Sequence, residues 1–234
     1  MIETYLVRAS SFAGDIDFLN DMIFWIVGVW FLAAEVVFFY FMFRYRKKEG
    51  QKAQYVSGEK KRHKKWISIP HYLVLVFDVA IVWGAIAVWY NIKQRLPEPD
   101  LTVGIVAQQW AWTFVHPGAD GELRTADDVA VVDELHVMEG ATYHFELEAT
   151  DVLHSFSVPV FRLKQDAVPG RKIVGWFRPT KTGEFDIQCT EICGLGHGMM
   201  AARIFIESAY DHEQWLNQRY STMPGQALAS ASSL

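Results

Sequence analysis

Two cysteines, Cys189 and Cys193, are all that the 234 residues contain, and they lie four positions apart. A disulfide framework spread along the chain is therefore excluded, and with it a small secreted domain stapled at several points. No Cys-x-x-Cys-His run occurs, so haem attachment through that motif is excluded as well. No internal repeat is present, which excludes solenoids and propellers. The first 21 residues have no short apolar core and include Glu3, Asp15, Asp17 and Asp21, so a cleavable signal peptide is not expected. The first apolar run then serves as its own insertion signal. Positive charge is in deficit, at a formal −5, and nucleic acid is not an expected partner.

Long apolar runs, by contrast, are present twice: Met22 to Phe43 and Trp66 to Tyr90. The first spans about 33 Å as a helix, enough to cross a hydrocarbon core of about 30 Å. Aromatic residues crowd the ends of both runs, as at membrane interfaces. The mean hydropathy of only +0.06 shows that the rest of the chain is soluble in character. Between the runs, residues 44–66 carry ten Lys or Arg against two Glu, which places this loop on the cytoplasmic side or its organellar equivalent and both termini opposite. The expected organisation is an external segment over 1–21, a transmembrane hairpin over 22–92 with its basic loop at 44–65, an exported domain over 93–220 and a flexible tail over 221–234. From Lys93 onward there are eleven basic and nineteen acidic residues, a formal −8, leaving +3 for the remainder. Such an acidic outer domain suits a basic partner, or serves solubility alone.

After Pro97 and Pro99 the periodicity changes to alternation. In "QQWAWTFVH", Trp110, Trp112 and Phe114 share one face of an expected strand, and in "TYHFELEAT" Tyr143, Phe145 and Leu147 oppose His144, Glu146 and Glu148. Further strands are expected at 130–137, 155–158, 172–177, 184–188 and 201–206, with a short helix at "YDHEQWLNQRY". The spacing predicts a β-sandwich or barrel of about 100 residues.

Cys189, Cys193, His197 and Met200 fall within twelve residues, joining two expected strands. Two thiolates, an imidazole and a thioether form a soft donor set that selects copper over magnesium or calcium. Gly194, Gly196 and Gly198 allow the tight turns that convergence of these side chains requires. A Cys189–Cys193 disulfide would leave His197 and Met200 without a role, and a structural zinc site seldom uses methionine. One loop supplies only one side of a coordination shell. His154, in "ATDVLHSFSVP", is a candidate for the other side, with His136 and His144 left open.

The pattern Cys189-x-Glu191-x-Cys193-x-x-x-His197-x-x-Met200, preceded by "DVLHS", resembles the binuclear copper A centre of cytochrome c oxidase subunit II. The order of two apolar helices, "QWAW", "DAVPGR" and the cysteine loop resembles that family along nearly the whole chain. The resemblance implies a two-helix transmembrane hairpin plus an all-β cupredoxin-like Greek-key barrel. It further implies two copper ions bridged by Cys189 and Cys193, with His154 and Met200 completing one, and His197 and the backbone carbonyl of Glu191 the other. The Glu191 side chain would meet a shared magnesium or manganese ion at the border with the large subunit. Haem would reside only in that partner, where oxygen is reduced and protons are pumped, and cytochrome c would be a separate donor. Trp110 would receive the electron, and Asp166 would help steer the donor, with Glu122, Asp127 and Asp128 as candidates by position alone. A membrane-tethered copper chaperone or thiol carrier is the rival reading, but it implies a thioredoxin fold. A quinol oxidase subunit would lack the copper ligands, and nitrous oxide reductase is a larger soluble enzyme. The chain departs from many members of the family at His63, where a Glu feeds a proton path; His63 is either a proton inlet or one more basic loop residue. Glu35 and Asp78, both at membrane depth, are expected to face a protein partner or to be protonated.

Overall fold

The computed structural model describes residues 5–52, 55–118 and 120–221, so the tail expected to be flexible over 221–234 lies outside the described residues except for Ser221, which ends a helix. It divides into a helical unit, Asp17–Tyr90, and a second unit formed by the residues up to Ile16 together with those from Asn91 on.

In the helical unit, α1 (Ala13–Arg44) and α2 (Lys61–Trp89) are both long and apolar enough to cross a membrane. Each begins before the apolar run read from sequence. Helix α1 starts nine residues early, and Asp15 in its first turn and Arg44 in its last complement the helix dipole. Helix α2 takes in Lys61 to Lys65 of the basic loop and continues as a π-helical turn over Tyr90–Gln94. Trp30 meets Phe77 edge to face, with ring centroids 6.2 Å apart. A methyl group on Gly84 would lie 3.4 Å from both Leu19 and Met22, so glycine there permits close approach. Most other apolar side chains of both helices are exposed on this chain, which suits contact with lipid or with further helices.

The second unit is a cupredoxin-like sandwich of two five-stranded sheets. The strands are β1 (Leu101–Gln108), β2 (Ala111–His116), β3 (Val129–Val132), β4 (Glu134–Met138), β5 (Tyr143–Ala149), β6 (His154–Val158), β7 (Leu163–Ala167), β8 (Ile173–Phe177), β9 (Gly183–Cys189) and β10 (Ala201–Glu207). One sheet runs β3-β2-β1-β5-β8 and the other β4-β10-β9-β6-β7. The β1–β5 and β4–β10 pairs are parallel and the remainder antiparallel. Phe156, fully buried on β6, meets Trp112, Phe114 and Phe145 from the facing sheet. Burial of one such ring stabilises by about 1.5–3 kcal/mol, so this cluster fixes how the sheets face each other. Residues before α1 join this unit too: Ala9 donates to the Val160 carbonyl and Ser10 Oγ to that of Phe161.

Three features differ from the sequence reading. The single strand expected over 130–137 is two strands in different sheets, broken at Asp133, whose φ of 59° turns the chain. Its carboxylate accepts the Trp112 N–H at 2.8 Å and so replaces a ladder partner. The "QQWAW" stretch is a hairpin rather than a strand: Gln108 pairs with Ala111, leaving Gln109 and Trp110 as its tip. Trp112 and Phe114 are core, whereas Trp110 is 41% exposed. Finally, β1 and β7 were not anticipated from the sequence.

Helix α3 (Ala209–Ser221), the expected short helix, closes the end of the sandwich where β2 finishes. His136 is stacked between Phe205 and Trp215, with centroids 4.5 and 4.0 Å away. The Glu207 carboxylate lies 2.9 Å from His136 Nδ1 and 3.2 Å from His212 Nδ1. Burial, reinforced by the neighbouring His212 and His136, pulls His116 down to about 3. Burial likewise pulls His136 down to about 4 and shifts His212 in the same direction. These rings are neutral when folded and bind protons more readily when unfolded. Their contribution to stability is therefore present above about pH 6.5 and is lost as pH falls from there toward 4. Denaturant midpoints of the full chain should fall between pH 7 and pH 5, and the fall should shrink in His116→Phe. An equal fall in that variant would show that the buried histidine is not responsible.

Candidate metal centre

The soft donors come from three places that the sandwich brings together. His154 opens β6, Cys189 ends β9, and Met200 immediately precedes β10. Phe156 of β6 stands opposite Cys189, which sets His154 one strand away from the thiol. The Cys189 N–H donates to the Met200 carbonyl at 3.1 Å and closes the loop at its base, while the Thr190 N–H donates to the Ser155 carbonyl at 3.1 Å and ties the loop to β6. Within the loop, Gly194 has a φ of +120° and His197–Met199 form a 3-10 turn.

His154, Cys189 and Cys193 are all buried, with ligand atoms within 4.8 Å of one another. The two Sγ atoms are 3.8 Å apart and both cysteines are free. His154 Nδ1 lies 3.2 Å from Met200 Sδ and 4.0 Å from Cys189 Sγ. His197 Nδ1 lies 3.6 Å from Cys193 Sγ, and the Glu191 carbonyl oxygen 3.3 Å from Cys189 Sγ. All six sequence-predicted donors thus converge. Two thiols, two imidazole nitrogens, a thioether and a carbonyl form a set whose softness fits copper. Burial, with Cys189 alongside, pushes the Cys193 thiol up to about 11, so a metal must displace its proton on binding. His136 and His144 are placed elsewhere: the first stacks under α3, and the second bonds the Pro97 carbonyl at 2.8 Å.

Asp151, read from sequence only as part of a turn, fixes His154. Its carboxylate lies 2.8 Å from His154 Nε2 and accepts the N–H groups of Gln109 and Val152, each at 2.6 Å. Burial opposes ionisation, but the hydrogen bonds from His154, Gln109 and Val152 hold the carboxyl below its usual range. An ionised carboxylate only accepts, so His154 carries its proton on Nε2 and turns the lone pair of Nδ1 toward the sulfurs. The Asp-x-x-His spacing was the available signal.

The Trp110 indole lies across the loop: a Cβ on Gly196 would be 2.5 Å from its ring, and its Nε1 donates to the Cys193 carbonyl at 3.2 Å. Gln109 Nε2 donates to the same carbonyl at 2.7 Å. Ile192, Leu195 and Met199 project from the loop at 77%, 102% and 86% exposure, an apolar rim that sequence reasoning missed. Asp166, on β7 beside Ser155, accepts Lys164 Nζ at 2.9 Å and Ser155 Oγ at 2.8 Å. These two bonds hold its carboxyl below the usual range, with Lys93 adding to the effect. Glu122, Asp127 and Asp128 lie between β2 and β3, at the His116 end of β2, and the hairpin tip lies at the other.

Asp151→Ala should weaken copper binding about 10- to 100-fold by releasing the His154 ring. Competition with a Cu(I) chelator measures this directly, and unchanged affinity would remove Asp151 from the site.

Residues 101–209 match the family described as cytochrome C oxidase subunit II, periplasmic domain. Over 228 residues the chain is 35% identical to the alternative cytochrome c oxidase subunit 2 of Bradyrhizobium diazoefficiens, covering 88% of this chain and 80% of that one. It is 40% identical over 128 residues to cytochrome c oxidase subunit 2 of Thermostichus vulcanus, covering 54% of this chain and 36% of that relative. Among solved structures, the periplasmic domain of subunit II of cytochrome oxidase from Bradyrhizobium japonicum is similar at 29% identity and a TM-score of 0.46, covering 53% of this chain and 96% of that one. On the shared sequence and the order of its parts, the chain belongs to the cytochrome c oxidase subunit II family.

Proposed function

We propose that the chain is the electron-accepting subunit of a haem-copper oxidase, receiving electrons from cytochrome c and delivering them toward haem in the large subunit. The convergence of the six donor groups at the end of a rigid sandwich, with His154, Cys189, Cys193 and Met200 buried and His197 and Glu191 half-buried, carries this reading. Cys189 and Cys193 would bridge two coppers, His154 and Met200 would serve one, and His197 with the Glu191 carbonyl the other. Such a centre, when bound, supplies a one-electron carrier whose charge is spread over two metals. The chain's own part is to hold these donors in place, through Asp151 and the Cys189–Met200 backbone bond, and to keep water out with Trp112 and Phe156 beneath. The all-β sandwich speaks against the thioredoxin fold that a thiol carrier implies.

Trp110, half-exposed and bonded to the Cys193 carbonyl, is suited to receive the electron, and the apolar rim of Ile192, Leu195 and Met199 to meet a partner. The side chain of Glu191 would help hold magnesium or manganese against the large subunit. Oxygen reduction and proton pumping belong to that partner. The two helices would cross the energy-transducing inner membrane with the β unit and both termini on the periplasmic or intermembrane-space side. His63 would stand near the cytoplasmic surface.

Cys193→Ala should lose the two-copper EPR and optical spectrum, whereas Met200→Leu should keep copper with a shifted potential. Two coppers retained in Cys193→Ala would refute the assignment. Donor docking and electron transfer should also separate in stopped-flow oxidation of cytochrome c at several ionic strengths. Asp166→Asn should weaken docking and its salt dependence, while Trp110→Gln should slow transfer with docking nearly intact. A normal transfer rate in Trp110→Gln would exclude Trp110 as the receiving residue.

A further inference from the structure

Positive charge gathers where α1 ends. Arg44 is its last residue, and the Tyr45 N–H donates to the Phe41 carbonyl at 2.9 Å. The chain then doubles back: Gly50 takes a φ of +74°, and the Gln51 N–H donates to the Lys48 carbonyl at 3.3 Å. This fold-back leaves a hollow of about 430 Å³, lined chiefly by Arg44, Tyr45, Arg46, Lys47, Lys48 and Lys52. No acidic residue lines it, and none of these five cations forms an ion pair among the described residues. Arg44 rests over the Tyr45 ring, 5.5 Å from its centroid, which restrains the guanidinium beside the hollow.

Unpaired cations crowded together repel one another, so an anion is the ligand that relieves them. The carbonyls at this end of α1 oppose an anion, and the side chains alone must hold it. What lies beneath narrows the choice. Phe39, Met42 and Phe43, in the last turns of α1, are exposed at 48%, 51% and 68%. Cations set directly beyond an apolar helix surface meet a phosphate group and its acyl chains in one amphiphile, which neither inorganic phosphate nor an acidic peptide offers. Guanidinium forks match phosphate oxygens in pairs, and basic groups just outside a membrane helix attract anionic headgroups. We propose that this hollow binds the phosphodiester of an anionic phospholipid, with the acyl chains lying along the end of α1. This rests on α1 crossing the membrane.

Native mass spectrometry of the full chain in mild detergent, titrated with phosphatidylglycerol or phosphatidylcholine, tests the proposal. The unsubstituted chain should retain phosphatidylglycerol at least about tenfold more than phosphatidylcholine. Arg46→Gln combined with Lys47→Gln and Lys48→Gln should abolish this preference. Lys61→Gln combined with Lys64→Gln and Lys65→Gln, which removes as much charge from the start of α2, should keep it. Equal retention of the two lipids by the unsubstituted chain would overturn the proposal, and an equal loss of preference in both triple variants would do so by showing only diffuse charge. Displacement of phosphatidylglycerol by equimolar inorganic phosphate would overturn it in favour of a free anion. In the whole oxidase, loss of a partner subunit from the first triple variant with phospholipid content unchanged would overturn it and assign the cations to an acidic protein segment. Alkaline carbonate extraction of membranes carrying the unsubstituted chain tests the premise separately, since release of the chain would refute the membrane reading itself. A chain that stays in the membrane yet shows no lipid preference refutes the site alone.

Discussion

The Asp151 carboxylate ties together three parts of the chain that no local preference would unite. It meets the ring of His154 on one sheet, the Gln109 N–H at the hairpin tip of the other, and Val152 in its own turn. The imidazole is thereby locked in one tautomer, and the tip that carries Trp110 is pinned over the same pocket. Without this bond the Gln109–Trp110 tip would keep its strand pairing but lose its aim. The sandwich beneath supplies stiffness, because Phe156 fills the space between the sheets two residues from His154.

Much of this arrangement was legible in the residues themselves. Soft donors confined to twelve positions announced a loop whose side chains converge, and alternation in "TYHFELEAT" announced a half-buried strand that the structure places at β5. What failed did so for identifiable reasons. The Gln109–Trp110 turn has none of the glycine or asparagine that normally marks a two-residue hairpin, so period-two aromatics were read as one strand. The break at Asp133 depends on its side chain capturing the Trp112 N–H, a contact between distant residues. The choice among His136, His144 and His154 likewise required the sheet order, since each lies on its own strand. Helix starts were missed because polar residues of the first turns carry no apolar signal although the backbone is already helical.

Charge is less evenly useful than its total implies. The outer domain is acidic, yet Glu146 and Glu148 engage Arg124 and Lys172, and Asp166 engages Lys164. An acidic surface made of paired groups presents a weaker field to an approaching protein than its formal charge does, and salt screens it further. In the proposed docking of a donor, the apolar rim of the cysteine loop would be correspondingly more important to close contact.

In the proposed electron-accepting role, the hydrogen bond between the Trp110 indole and the Cys193 carbonyl would also have an electronic consequence. From that carbonyl oxygen to the Cys193 sulfur the path is wholly covalent, through the carbonyl carbon, Cα and Cβ. Orbital overlap between the aromatic ring and the thiol is therefore interrupted only once, by the N–H···O contact of 3.2 Å. The glycine at 196, by letting the ring lie flat on the loop, keeps that contact short. Tunnelling decays steeply across gaps and gently along bonds, so in that role a small residue with no chemistry of its own would set how strongly the protein surface is coupled to its interior.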